Sequence, residues 1–156
     1  MKRSAKAFWY GDLKQGKGSL TTQNGVLNNV DYSFKTRFRE EGKGTNPEDL
    51  LAAAYAGCFT MAVSSILTQK GLNAVALDTA STVFLKGSTI TNIHLSIAAH
   101  IEELSLEEFT MVVKHAEKYC IISKALNIPV TYEVYCRQPQ NLALSSNDME
   151  IQTLSF

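Results

Sequence analysis

The residues with the most chemistry in this 156-residue chain are its three cysteines, Cys58, Cys120 and Cys136. They stand too far apart for a zinc knuckle or a Cys-x-x-Cys redox motif, so any partnership among them must be made by the fold. Two readings of Cys58 and Cys120 are open at this level. Each is a small packed hydrophobe, the common fate of a free cysteine, or one is a peroxide-reacting thiolate and the other a thiol that condenses with the resulting sulfenic acid. A separation of 62 residues neither forbids nor supports the pairing. Cys136 shares a strand face with Val130, Tyr132 and Val134 and reads as packing.

Two further motifs are weaker. GDLKQGKG at 11–18 nearly matches a phosphate-cradling loop, but Gly18 stands where a hydroxyl belongs and the following SLTT reads as strand rather than helix. His94 and His100 fall on one face of a strand, opposite Ile93, Leu95, Ile97, Ala99 and Ile101, so both are expected to see solvent. No other ligands are placed near them, and no metal site is expected.

Cys58 is positioned by the stretch 45–71, TNPEDLLAAAYAGCFTMAVSSILTQKG, which reads as one long helix. Asn46 caps it, Pro47 suits the first helical position, Glu48 and Asp49 meet the positive end of the dipole, and Lys70-Gly71 stops it. Residues 50–69 carry no charge and are apolar or small all round, the pattern of a helix buried on most sides. A bilayer span has the same length. Five alanines, the hydroxyls of Thr60, Ser64, Ser65 and Thr68, and the amphipathic patterning elsewhere favour a soluble core helix.

Around it, strands are expected at 5–10 and 19–22. A third is expected at 30–38, where Val30, Tyr32, Phe34 and Phe38 alternate with Asp31, Ser33, Lys35 and Arg37. Strands at 75–85 and 90–101 follow the helix. Ser105-Leu106-Glu107-Glu108 is a capping box for a second helix with Leu106, Phe109, Met111, Val112 and Val113 on its apolar side. A short helical turn at 121–126 and a strand at 130–137 close the order, which is α+β with antiparallel sheets around a long central helix. One domain over 1–137 and a C-terminal extension over 138–156 are expected. Lys+Arg and Asp+Glu balance at 15 each, so neither a nucleic-acid nor a membrane-surface partner is indicated. The basic N-terminus lacks a signal-peptide apolar run, which points to the cytoplasm, where thiols stay reduced. A fully apolar central helix asks for more cover than one small sheet gives, so a dimer is expected.

WYGDLKQGKG, GVLNNVDYSFKTRF, GKGTNPEDLLAAAYAGCF and AEKYCIISKAL together resemble the OsmC branch of the OsmC/Ohr family, thiol peroxidases of oxidative and osmotic stress defence. The resemblance covers residues 1 to about 137. It implies an intertwined homodimer with sites at the subunit interface, Cys58 as the peroxidatic thiol and Cys120 as the resolving thiol. It likewise implies Arg37 as the cation beside the thiolate and Glu48 as its orienting partner, where the residues alone read as a strand charge and a first-turn acid. The substrates implied are organic hydroperoxides and hydrogen peroxide, with no cofactor and a dithiol reductant such as a lipoylated protein. Phe59, Met61 and Tyr55 would favour organic substrates near the thiol. The family segment usually reads Cys-Pro, whereas Ile121 follows Cys120 here. The alternatives are a non-enzymatic module for a small apolar ligand and a redox sensor that reacts once.

Ten residues separate Glu48 from Cys58, about 15 Å along an unbroken helix and about 80° apart in projection. They share neither height nor face. An Arg37–Glu48 pair serving Cys58 is therefore expected to come at least partly from the other subunit, unless Arg37 bridges the whole gap within one chain, with Ala53 and Gly57 letting two central helices approach closely.

Overall fold

The computed structural model describes residues 1–39, 43–74, 76–101 and 104–137. The expected extension at 138–156 lies outside the described residues. The chain divides into two compact units, Met1–Leu51 and a second beginning at Ala52.

In the first unit β1 (Ala5–Tyr10), β2 (Lys17–Thr22) and β3 (Val30–Ser33) form an antiparallel meander in that order. Residues 11–16 form the hairpin turn, and Lys17 and Gly18 already belong to β2. The Asp12 carboxylate accepts from the N–H groups of Lys14 and Gln15 at 2.8 and 2.9 Å. A Cβ on Gly16 would lie 2.3 Å from the Asp12 carbonyl oxygen, so the glycine is required by close backbone approach and not by a phosphate.

The strand expected over 30–38 stops at Ser33, and α1 (Phe34–Phe38) takes over. The reason is a second capping box. The Thr36 N–H donates to Ser33 Oγ and the Ser33 N–H donates to Thr36 Oγ1, at 3.2 and 2.9 Å. Phe34 and Phe38 satisfy a period of two and a spacing of one helical turn alike, and their rings meet at 4.7 Å. Arg37, expected on a strand face, instead lies in the last turn of this helix, and Arg39 is its C-cap.

The central helix, α2 (Pro47–Gln69), runs unbroken as expected. Asn46 Oδ1 accepts from the Asp49 N–H at 2.8 Å. At the far end Gly71 has φ 74°, while the Leu72 and Gly71 N–H groups return to the Leu67 and Thr68 carbonyls, a Schellman stop. Its burial is narrower than the composition predicts. Tyr55, Phe59, Val63, Ile66 and Leu67 form one covered stripe, and Ala53, Ala54, Gly57, Met61 and Ser64 are exposed in the single chain. By length and composition alone this helix could cross a membrane. Its covered face, however, packs on a sheet: Phe59 stacks on Tyr132 at 5.7 Å, and the Thr60 hydroxyl donates to Thr79 Oγ1 at 2.7 Å.

That sheet is the core of the second unit. β4 (Ala76–Lys86) and β5 (Thr89–His100) form an antiparallel hairpin through Gly87, at φ 62°. The strand expected from residue 75 begins outside the described residues. β6 (Val130–Arg137) pairs with β5 in parallel, so antiparallel pairing holds within the first sheet and between β4 and β5 but not here. A parallel partner needs a long crossover. α3 (Leu106–Tyr119) and α4 (Ile121–Ala125) supply it.

β5 is the middle strand, and Ile93, Leu95, Ile97 and Ala99 have no exposed surface. Its last four residues are buried on both faces, which overturns the expectation for His100: only 8% of it is exposed. His94, nearer the open end, keeps some exposure and meets the Thr131 hydroxyl at 2.9 Å. On α3 the buried stripe is Phe109, Val112, Val113 and Ala116, and Met111, expected on that side, is exposed.

The capping box at Ser105 is present in both directions. Ser105→Ala is expected to destabilise the fold by about 1 kcal/mol, read as a lower urea midpoint at unchanged slope.

Candidate active site

Cys58 lies just past the third turn of α2, and Cys120 occupies the single non-helical position between α3 and α4, at φ −64° and ψ 121°. The break aims Cys120 at the central helix. Its thiol donates to the Cys58 sulfur across 3.1 Å, about 1 Å more than a covalent S–S bond. All three cysteines are free. Cys120 is 1% exposed and Cys58 is partly open, so a reactant from solvent meets Cys58 first.

The two sulfurs are electrostatically unequal. Burial opposes ionisation of Cys58, but the Ile122 N–H, the Cys120 thiol and the Ile121 N–H together outweigh it and hold its pKa below the ordinary cysteine value. Cys120 shifts the other way. Burial raises its pKa, the hydroxyl and N–H of Ser123 oppose that rise, and the neighbouring Cys58 adds to it. The arrangement favours ionisation of Cys58 over that of Cys120. Around them Tyr55 donates to or accepts from Ser123 Oγ at 2.9 Å, and burial also raises the pKa of Tyr55 and, further, of Tyr132.

The backbone donors from α4 were not visible in the sequence. A cysteine in mid-helix gains little from its own dipole, so lowering its pKa looks like a task for a fixed cation alone. The signal that could have shown otherwise is Cys120 itself, a helix-breaking position followed at once by a second helical start whose first N–H groups have no partner within α4.

Arg37 and Glu48 are brought together within the first unit. Thr36 Oγ1 donates to the Thr45 carbonyl at 3.0 Å, and the Thr45 N–H donates to Asp31 at 2.9 Å, docking α1 against the start of α2. Arg37 Nε then donates to both Glu48 oxygens at 3.0 and 3.1 Å, and Nη2 donates to Oε1 at 2.6 Å. The fork to Glu48 keeps the guanidinium firmly charged. The Arg37 side chain is 43% exposed, so the pair is a presented cation with a fixed plane rather than a buried strut.

The apolar residues expected beside the thiol come out differently. Tyr55 and Phe59 have no exposed surface, which makes them core side chains rather than walls for a substrate, while Met61 is 74% exposed. The Cys136 thiol donates to the Leu104 carbonyl at 3.2 Å, and burial raises its pKa. Among the described residues no three His, Cys, Asp or Glu side chains cluster to hold a metal.

An α+β chain with an activated thiol held against a second thiol is the class that fold and site define. The family model described as OsmC-like protein matches residues 40–134. Peroxiredoxin OsmC of Escherichia coli (strain K12) is 38% identical over 135 residues, covering 84% of this chain and 94% of its own. Organic hydroperoxide resistance protein OhrA of Bacillus subtilis (strain 168) is 34% identical over 123 residues, covering 76% and 87%. The crystal structure of OhrB of Bacillus subtilis matches with a TM-score of 0.66 at 25% identity, over 86% of this chain and 98% of that one. An OsmC-like protein of unknown function from Vibrio cholerae shares the fold, with a TM-score of 0.67 at 14% identity over 86% and 99% of the two chains. The chain belongs to the OsmC-like family.

The charge donors to Cys58 are testable through Ile121. Proline is tolerated at the first position of a helix, and the extended backbone of Cys120 is the one that precedes proline readily. Ile121→Pro therefore removes one N–H at little structural cost. The rate of Cys58 alkylation should rise with pH through a midpoint below the ordinary cysteine value in the wild type, and that midpoint should move upward in Ile121→Pro.

Proposed function

We propose that this protein is a cysteine-based peroxidase of peroxide defence, reducing organic hydroperoxides and hydrogen peroxide. The observation that carries the reading is the 3.1 Å contact in which a buried Cys120 thiol donates to a partly exposed Cys58 of lowered pKa. The Cys58 thiolate attacks one peroxide oxygen, so an S–O bond forms, the O–O bond breaks, and the other oxygen leaves as the alcohol, or as water from hydrogen peroxide, after taking up a proton from solvent. Cys58 is oxidised by two electrons to a sulfenic acid. The sulfur of Cys120 then attacks Cys58, an S–S bond forms, and the hydroxyl leaves as water with the Cys120 proton. A dithiol, such as a lipoylated protein, returns both cysteines to thiols. No cofactor takes part.

Arg37, with its plane locked by Glu48, serves as the cation that holds the thiolate and the peroxide oxygen. The ten-residue offset along α2 supports a composite arrangement in which each site draws this pair from the other subunit of a homodimer. The exposed small residues Ala53 and Gly57 give two central helices room to approach. Balanced charge and family membership support a soluble cytoplasmic protein.

Peroxide consumption with a dithiol is expected to vanish in Cys58→Ser. In Cys120→Ser the first oxidation should persist, and intact-mass measurement should show Cys58 climbing to sulfinic acid. Cys136→Ser should change neither. Wild-type turnover in Cys58→Ser would end the peroxidase reading. For the composite site, inactive Cys58→Ser and inactive Glu48→Ala chains refolded together should recover part of the activity, and a site built within one chain recovers none.

A further inference from the structure

The hydrogen bond between Tyr55 and Ser123 has a placement that the peroxidase chemistry leaves unexplained. Tyr55 precedes Cys58 by three residues on α2, and Ser123 follows Cys120 by three residues on α4. Residues three apart are neighbours on a helix surface. The 2.9 Å contact between Tyr55 Oη and Ser123 Oγ therefore runs beside the 3.1 Å contact between the two sulfurs, one helical turn away on each side. Tyr55 is fully buried and its ring meets Phe59 edge-on at 6.3 Å, so its hydroxyl has little freedom to move. α4, by contrast, is five residues long and contributes no buried residue, so little apolar packing holds it in place. A helix this short is not stable alone.

Taking the peroxidase reading as its basis, we propose that Tyr55 and Ser123 are positioning residues for the resolving step. Their hydrogen bond pins α4 to the central helix and so fixes the distance from which the Cys120 sulfur attacks the Cys58 sulfenic acid. In that step the Cys120–Cys58 S–S bond forms, the Cys58 S–O bond breaks, and the hydroxide leaving Cys58 takes the proton lost by Cys120. The first oxidation, attack of Cys58 on the peroxide, does not use the pair.

This separation of steps gives the test. Reduced protein is mixed with one equivalent of cumene hydroperoxide, and quenched samples are followed by mass for sulfenic acid, disulfide and sulfinic acid. In Tyr55→Phe and in Ser123→Ala the rate of Cys58 oxidation should stay within about twofold of wild type, while disulfide formation slows by roughly three- to tenfold, the worth of one hydrogen bond. Excess peroxide should then drive more Cys58 to sulfinic acid. Ser123→Thr keeps the hydroxyl and should restore the wild-type rate. The double variant should be no slower than Ser123→Ala, which already removes the shared contact along with the Ser123 hydroxyl's own contact to Cys120. Disulfide formation at the wild-type rate in both single variants overturns the positioning role alone, as does an equal slowing of both steps. A wild-type protein that forms no Cys58–Cys120 disulfide overturns the peroxidase reading and the positioning role with it.

Discussion

Cys120 donates to Cys58 across 3.1 Å, and that contact exists only because the crossover from β5 to β6 is broken at a single residue. Were α3 to continue through position 120, its thiol would follow the helix surface and the N–H groups of Ile121 and Ile122 would be spent on carbonyls within the helix. The break does two things at once. It turns one sulfur towards the other, and it frees backbone donors that favour negative charge on the central-helix thiol. Geometry and acidity at the site thus have a common origin in one φ/ψ pair.

Each unit holds its own kind of electrostatics. In the second unit the thiolate is favoured by neutral dipoles held in secondary structure, which no change of side chain easily removes. In the first, a guanidinium is held in plane by a carboxylate at the start of α2, and the docking of α1 through Thr36 and Thr45 sets where it stands. Backbone donors cost no side-chain entropy, and a forked ion pair has already given up most of its side-chain freedom.

Much of this was legible in the residues, and the misses have two causes, one local and one distant in sequence. Asn46 and Gly71 mark the ends of α2, and Ser105 the start of α3, because capping is local chemistry written within a few residues. Phe34 and Phe38 misled because their spacing fits both periods, and the deciding contact was the small reciprocal pair Ser33–Thr36. His100 was assigned to solvent by alternation alone, which does not say that β5 lies between two strands with its end covered on both faces. Tyr55 passed as a pocket wall for the same reason: burial is decided by partners distant in sequence. At the site, residue types and a family resemblance singled out the thiols. The Ile121 and Ile122 donors and the Tyr55–Ser123 contact came only with the turn of the backbone at 120.

The parallel pairing of β6 on β5 has a consequence for the oxidised protein. Because Cys120 sits on the crossover, a bridge to Cys58 closes a ring 62 residues around that contains the whole β4–β5 hairpin and α3. Tying off a ring of that size removes conformations from the unfolded chain worth about 4 kcal/mol. Each turn of the proposed cycle therefore also tightens and releases the tether on half the fold, and the redox state of two sulfurs becomes readable as resistance to unfolding.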